Sequence, residues 1–360
     1  MNNRQLLFII LWLIPSFIFG QGSSDALFPG FDDNPRGNKA ARIMFYNAEN
    51  LFDITHDSLK RDDDFLPDGI KRWDERKYWK KQKNIAQVIT AVGGWEMPAI
   101  VGLAEVENLH VLFTLTNYTQ LKSTNYKIVH HESPDWRGID VALLYRSEKF
   151  KLLFDTAFSI RFPFDTASKT RDILYVKGVL LGADTLHIMV THWPSKYGGA
   201  FVTIPKRMWV AQQIRHISDS IMSVNSNAKI LIMGDLNDAP KEKSLMKGLR
   251  VVSPDTASTD SLFNMMLPMV KAGKGTHFYK GPTGAEWSFI DQFIVSRGLY
   301  QSKFGIAIKK QEVHVFRAPF LFETNDAGLS IPNRSYIGMK YHGGYSDHLP
   351  IYLDLVILKK

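Results

Sequence analysis

The sequence predicts an α/β protein built on mixed β-sheets, and three observations carry that expectation. Apolar runs of strand length recur along the chain, each bounded by turn or polar residues; amphipathic helical stretches alternate with them. Two neighbouring runs are joined by Gly182-Ala183-Asp184, a hairpin connection foreign to a doubly wound parallel sheet.

Taken in order, Arg42 to Leu51 reads as the first strand, after a polar leader from Gln21 to Lys39 rich in Gly and Asp. The loop behind it interleaves Asp57, Asp62, Asp63, Asp64 and Asp68 with Lys and Arg; the spacing matches no EF-hand, so a solvated loop on the substrate side is expected. From Asp74 the period turns helical, with Tyr78, Ile85, Val88, Ile89 and Val92 on one face and Gly93-Gly94 as the stop. Pro98 to Val106 is then a strand, Leu109 to Leu121 a helix, Tyr126 to His131 extended, and Ile139 to Tyr145 a short buried strand. The hairpin follows, Ile173 to Leu181 with Thr185 to Thr191, and then a helix over Lys206 to Val224, whose Val210, Ile214, Ile217, Ile221 and Val224 recur at helical spacing. Lys229 to Met233, Phe289 to Ser296 and Ile351 to Leu358 complete the strands. Between Gly298 and Gly344 no period emerges, and a long decorated loop over one edge of the core is expected there. No internal repeat and no linker divides the chain.

With 360 residues, 45% of them hydrophobic, the chain can bury a large core without cross-links. It has no cysteine, which excludes disulfides, a thiolate nucleophile, cysteine-ligated zinc and a lipid-modified cysteine. A net charge of +8 favours polyanionic substrates, although it serves colloidal solubility equally well. Residues 1–20 have the outline of a secretory signal peptide: Arg4, the apolar Leu6 to Phe19, and the small Gly20. A membrane anchor is the competing reading, but a run broken by Pro15 is short for a span of about 20 apolar residues. The expected organisation is a signal peptide over 1–20, a flexible leader over 21–41, and a single domain over 42–360 with an insertion at about 298–344, secreted or periplasmic after cleavage and without a stable membrane anchor.

Six segments end an apolar run with acids, amides or histidine: Asn47-Ala48-Glu49, Glu105-Val106-Glu107, His192-Trp193, Gly234-Asp235-Leu236-Asn237, Asp291-Gln292 and Ser346-Asp347-His348. Each has an ordinary explanation alone, as a turn cap or a solvated strand end; their repetition at strand ends points to one site. Asn47, Glu105, Asp235, Asn237, Asp291, Asp347 and His348 offer hard oxygens and one imidazole, the mix that suits Mg²⁺, or Mn²⁺, and not a closed structural zinc site.

In this order the motifs resemble the endonuclease/exonuclease/phosphatase superfamily, the deoxyribonuclease I-like fold, over about Arg42 to Leu358. The resemblance implies a four-layer α/β sandwich, two mixed β-sheets packed face to face with helices outside. It implies Glu105 as the main metal ligand, with Asn47 beside it and Asp347 within reach. His348, oriented by Asp291, would bond the phosphate; Asp235 would align or deprotonate the attacking water, Asn237 would hold that water or a phosphate oxygen, and His192 would protonate the leaving oxygen. Arg137, Arg171 and Lys196 are candidate phosphate contacts, each with a surface ion pair as the ordinary alternative. Glu49 and Glu107 add acids near the ion and leave a second cation open.

The function expected is an exported, divalent-metal-dependent phosphodiesterase, an endonuclease acting on DNA or RNA as a monomer. Two alternatives stand beside it. One is a phosphoesterase of the same fold acting on a lipid or small phosphoester, for which Val315 to Phe322 would be the membrane-entering segment. The other is a binding protein that kept the fold without turnover.

Overall fold

The computed structural model describes residues 31–254, 256, 262–270, 274–281 and 284–358; the expected signal peptide and the start of the leader lie outside them. Strand β1 (Ala40–Leu51) leads through helix α1 (Glu75–Gly93) into β2 (Ile100–Val106), which pairs with it in parallel. The Asp74 carboxylate starts α1 by accepting from the Lys77 N–H, and Gly94 stops it at a φ of +67°. Its stripe of Tyr78, Ile85, Val88, Ile89 and Val92 is buried as the period requires. Helix α2 (Leu109–Asn117) is shorter than expected, because the Thr119 side chain caps a separate 3₁₀ turn over Gln120–Thr124. β3 (Lys127–His130) and β4 (Asp140–Tyr145) follow as an antiparallel pair.

β5 (Phe150–Phe158) is a strand the sequence did not announce. It pairs only with β6 (Ile173–Leu180) at a sheet edge, a register shift between Leu152 and Phe154 breaks its alternation, and Leu153, Phe154 and Phe158 are exposed. β6 and β7 (Asp184–His192) form the expected hairpin. Helix α3 (Ala200–Val224) starts N-terminal to Pro205, where Phe201 and Val202 are exposed, and β8 (Lys229–Asp235) then returns parallel to β7.

β9 (Val251–Val252), β10 (Leu262–Asn264), the hairpin β11 (His277–Gly281) and β12 (Gly284–Ser288), and β13 (Asp291–Ser296) come next, followed by the single turn α4 (Arg297–Tyr300). The segment expected to be a decorated loop is more ordered than that. It gives β14 (Gly305–Ile308) to a sheet edge, sets β15 (His314–Val315) on the last strand, and closes as two small hairpins, β16 (Phe322–Thr324) with β17 (Ser330–Pro332) and β18 (Tyr336–Ile337) with β19 (Lys340–Tyr341). Elements of two to four residues are too short to show a period in sequence. β20 (Ile351–Leu358) is the last strand.

Two seven-stranded sheets result, one ordered β14-β20-β1-β2-β4-β3 with β15 also on β20, the other β5-β6-β7-β8-β13-β10-β9. Both are mixed, and their inner faces share one core of Ile43, Phe45, Leu143, Val190, Met233 and Phe293 with their neighbours. α1 and α2 cover the outer face of the first sheet through Met44, Val101 and Leu103, and α3 that of the second through Ile230 and Ile232. The architecture is the expected four-layer sandwich.

Two expectations fail here. The leader is docked, not flexible, from residue 31: Phe31 meets Phe316 edge-on at 5.1 Å, and the Arg36 guanidinium binds Asp354 at 3.1 Å. The segment from Val315 to Phe322 is not a free aromatic finger, because Phe316 is buried and Phe320 and Phe322 pack against the same core. Gly234 is required by close approach: a Cβ there would stand 2.0 Å from the Thr191 carbonyl oxygen of β7. Gly234→Ala should lower stability by about 1–3 kcal/mol, and an unchanged thermal unfolding midpoint would show that β7 and β8 tolerate the wider spacing.

Candidate active site

The site is the inner sheet face carried one step past its apolar residues. Side chains two apart in a strand share a face, so Asn47 follows Phe45, His192 follows Val190, Asp235 follows Met233 and Asp291 precedes Phe293, all of them inward. Register completes the argument: Asp235 is paired with His192 on one side and with Asp291 on the other, placing the three in one row across β7, β8 and β13. Glu105 breaks the rule. Val101 and Leu103 face the helices, so alternation would send Glu105 outward, but its φ of +59° and the register shift between Ala104 and Val106 turn the strand end. Its carboxylate lies 3.9 Å from His192 Nε2. Glu49, Asn50 and Asn237 also have positive φ, so the backbone around the site is held in conformations that tertiary packing must enforce.

The contacts run continuously across both sheets. Asn47 Nδ2 donates to Asp235 Oδ2 at 3.0 Å and lies 3.4 Å from His348 Nε2. Asp291 holds His348 Nδ1 at 2.8 Å, and His348 Nε2 stands 3.7 Å from Asp235 and 3.8 Å from Asp347. His192 Nε2 is 3.4 Å from Asp235. Asn237 donates to the Trp193 carbonyl at 3.0 Å, and its own N–H bonds Asp235 Oδ1 at 2.9 Å. Asn47, Glu105, His192, Asp235, Asn237, Asp291, Asp347 and His348 thus converge, as the motifs required.

Their charges differ by neighbourhood. Burial disfavours an imidazolium at His348, yet the carboxylates of Asp291, Asp235 and Asp347 outweigh it and hold the proton well above the ordinary histidine range. His192 is the reverse: burial, reinforced by the Arg171, Arg137 and His348 cations, pushes it well below. Its Nδ1 has no hydrogen-bond partner among the described residues, so nothing fixes the tautomer as Asp291 does for His348. These surroundings favour the protonated form at His348 and the neutral form at His192, the residue expected to act as an acid. Burial, with Asp291 and Glu105 nearby, raises Asp235 to about 6 against the opposing pull of His348.

Four expected contributors have other work. Arg171 is buried, paired with Asp135 at 2.9 Å and bonded to the carbonyls of His192 and Trp193, so it braces the site's backbone and presents no free fork to a phosphate. Arg171→Ala should cost about 3–5 kcal/mol of stability by stranding Asp135; a stable variant with only a raised KM would return the residue to substrate binding. Lys196 pairs with Asp238 at 3.3 Å and Glu242 at 3.7 Å. Glu107 turns to the Asp53 N–H, and Glu49 accepts from Arg334 at 2.9 Å and the Ser335 N–H at 2.8 Å, with Lys81 at 3.6 Å, so neither joins the acids that face the row. Arg137 remains exposed beside the cleft, near Asp135 at 3.6 Å.

Two neighbours escaped the sequence. Arg334, from the aperiodic segment, bridges Glu49 and Asp347, each at 2.9 Å. His277 packs on His348, ring centroids 4.8 Å apart, and stands 3.8 Å from Asp347. Only the aperiodic placement of Arg334 and a lone β-bridge between His277 and His348 bring them in, and neither leaves a mark in sequence spacing.

Among the described residues, Asp235, Asp291 and His348, and likewise His277, Asp347 and His348, stand close enough together to hold a metal ion, and the carboxylate oxygens of Glu105 and Asp347 and the amide oxygen of Asn47 are of the type a hard divalent cation takes.

A family model described as the endonuclease/exonuclease/phosphatase family matches residues 42–357. Among solved structures, a mannosyl-6-phosphatase of Bacteroides thetaiotaomicron aligns with a TM-score of 0.54 at 15% identity, covering 88% of this chain and 99% of that one. A humanized D. rerio TDP2 aligns at 0.53 and 15% identity, over 88% of this chain and 98% of that one. The human nocturnin catalytic domain aligns at 0.51 and 15% identity, over 89% and 95%. At such identities the likeness is one of fold. No curated protein matches the chain by sequence.

Proposed function

We propose, from the premise that this chain belongs to the endonuclease/exonuclease/phosphatase family, that it is an exported, divalent-metal-dependent phosphodiesterase that cuts nucleic acid internally by in-line attack of water. The observation that carries the reading is the row His192, Asp235, Asp291 on one sheet set against Asn47 and Glu105 of the other and the Asp347-His348 pair just ahead of β20. An ion held by Glu105, Asn47 and Asp347, with Mg²⁺ as first choice and Mn²⁺ as second, would offset charge on the phosphate's non-bridging oxygens.

The chain's own groups supply the rest. Asp235, near the middle of the row and titrating at about 6, takes the proton of the attacking water. His348, kept protonated by Asp291, donates to a phosphate oxygen where charge develops. Asn237, fixed at the Trp193 carbonyl, flanks the water. The bond from phosphorus to the leaving oxygen breaks as the water oxygen bonds; the leaving oxygen departs with that electron pair, hydrogen-bonded by the neutral, buried His192, and takes its proton from solvent. Export rests on the N-terminal sequence alone; no helix among the described residues is long and apolar enough to cross a membrane.

A small-phosphoester reading draws on one feature, a pocket of about 260 Å³ beside Glu49 lined by Lys71, Trp73, Arg334 and Tyr336, which suits a compact sugar or phosphate group. The lipid variant of that reading loses its membrane segment with the burial of Phe316. Incubating the purified protein with plasmid DNA, RNA, sphingomyelin and hexose and inositol phosphates, with Mg²⁺, with Mn²⁺ and with chelator, separates them. Metal-dependent release from nucleic acid is expected; turnover of a monoester alone would replace the proposal.

A further inference from the structure

Beside His192 opens a cleft of about 670 Å³, within the range of about 300–1,000 Å³ that ligand sites occupy. Arg137, Lys169 and Lys206 line it, and it adjoins the site across Arg171, which forms part of its wall and holds the His192 and Trp193 carbonyls. The acids present offset part of this charge: Lys206 is tied to Asp165 at 2.7 Å, Asp135 is shared between Arg171 at 2.9 Å and Arg137 at 3.6 Å, and Asp64 lines the cleft, whereas Lys169 enters no described salt bridge. Arg61 adds a fourth cation at the rim, its guanidinium carbon 5.4 Å from the centre of the Trp136 ring, with Lys169 Nζ 4.3 Å from the same ring.

Aromatic rings stand among the cations. Tyr197 lines the cleft with 92% of its surface exposed, and Trp136 is exposed between Arg61 and Lys169. An exposed ring in a cationic groove gains little from a duplex, whose bases are already stacked and show only their edges. An unpaired strand offers both free base faces and phosphates. We propose that this cleft is the track of an unpaired polynucleotide, so that the substrate class is single-stranded DNA or RNA, with bases on Tyr197 and Trp136 and phosphates on Arg137, Lys169 and Arg61. The inference rests on the nucleolytic reading above and narrows it.

The test measures binding by fluorescence anisotropy in chelator, using the full chain with Glu105→Gln to prevent cleavage. The probes are a labelled single strand, the same sequence as a duplex, and heparin as a plain polyanion. The single strand should bind at least about 10-fold tighter than the duplex. Tyr197→Ala and Trp136→Ala should each weaken single-strand binding by roughly 5- to 150-fold and leave heparin unaffected, while Tyr197→Phe binds like the parent. Lys169→Ala should instead reduce the salt dependence of the logarithm of affinity by about 0.7. Equal binding of duplex and single strand, or ring variants with parental affinity, would overturn the track. Metal-dependent cleavage of duplex at a rate the ring variants do not change would remove the single-strand inference and leave the nuclease standing; absence of both binding and cleavage of any nucleic acid would remove the nuclease reading itself.

Discussion

Glu105→Gln should lower turnover by roughly 10³-fold or more, the scale of a positioned electrostatic stabiliser, and should abolish Mg²⁺ or Mn²⁺ binding in calorimetry. The carboxylate's protein contacts are slight, one hydrogen bond from the Asn50 N–H at 3.0 Å and His192 at 3.9 Å, so folding does not explain a loss of this size. A companion variant sharpens the expectation. Glu105 sits at a φ of +59°, which glycine adopts freely and glutamate only at a cost, so Glu105→Gly should be as inactive yet about 1 kcal/mol more stable. Parental metal affinity in Glu105→Gln would show that the ion is held elsewhere, and a destabilised Glu105→Gly would show that its side chain supports the fold.

Asp235→Asn should reduce kcat by roughly 10²- to 10⁴-fold while changing metal affinity only a few-fold, because the residue works on the water. The pH profile gives a second reading. Burial, with Asp291 and Glu105, places the Asp235 carboxyl at about 6; as a base it must be deprotonated, so parental activity should be full above that value and fall as pH drops through it. A cation at Glu105 favours the carboxylate form and moves the limb to lower pH. Asparagine has no proton to lose, and the limb should vanish with the residue. An acid limb that survives unchanged in Asp235→Asn belongs to another group and would remove Asp235 as the base.

Much of this was legible because a strand's side chains alternate. Asn47, His192, Asp235 and Asp291 each lie two residues from an apolar inward residue, so the buried face and the polar row share one period. The long helices were readable for the same kind of reason. Glu105 was found by motif alone, since its left-handed backbone defeats alternation. Arg171 misled because an arginine near a strand end looks the same in sequence whether it forks onto a ligand or, as here, onto two carbonyls and an aspartate. Arg334 and His277 reach the site through short tertiary pairings that carry no spacing, and β5 hid behind a bulge at an edge.

The position of β20 has a temporal consequence. The final strand of the chain lies hydrogen-bonded to the first, between β14 and β1, and it brings Asp347 and His348 with it. The sheet therefore cannot close until residues 351–358 have been made, about 300 residues after their partner strand, and so long a separation in sequence makes that closure late and slow.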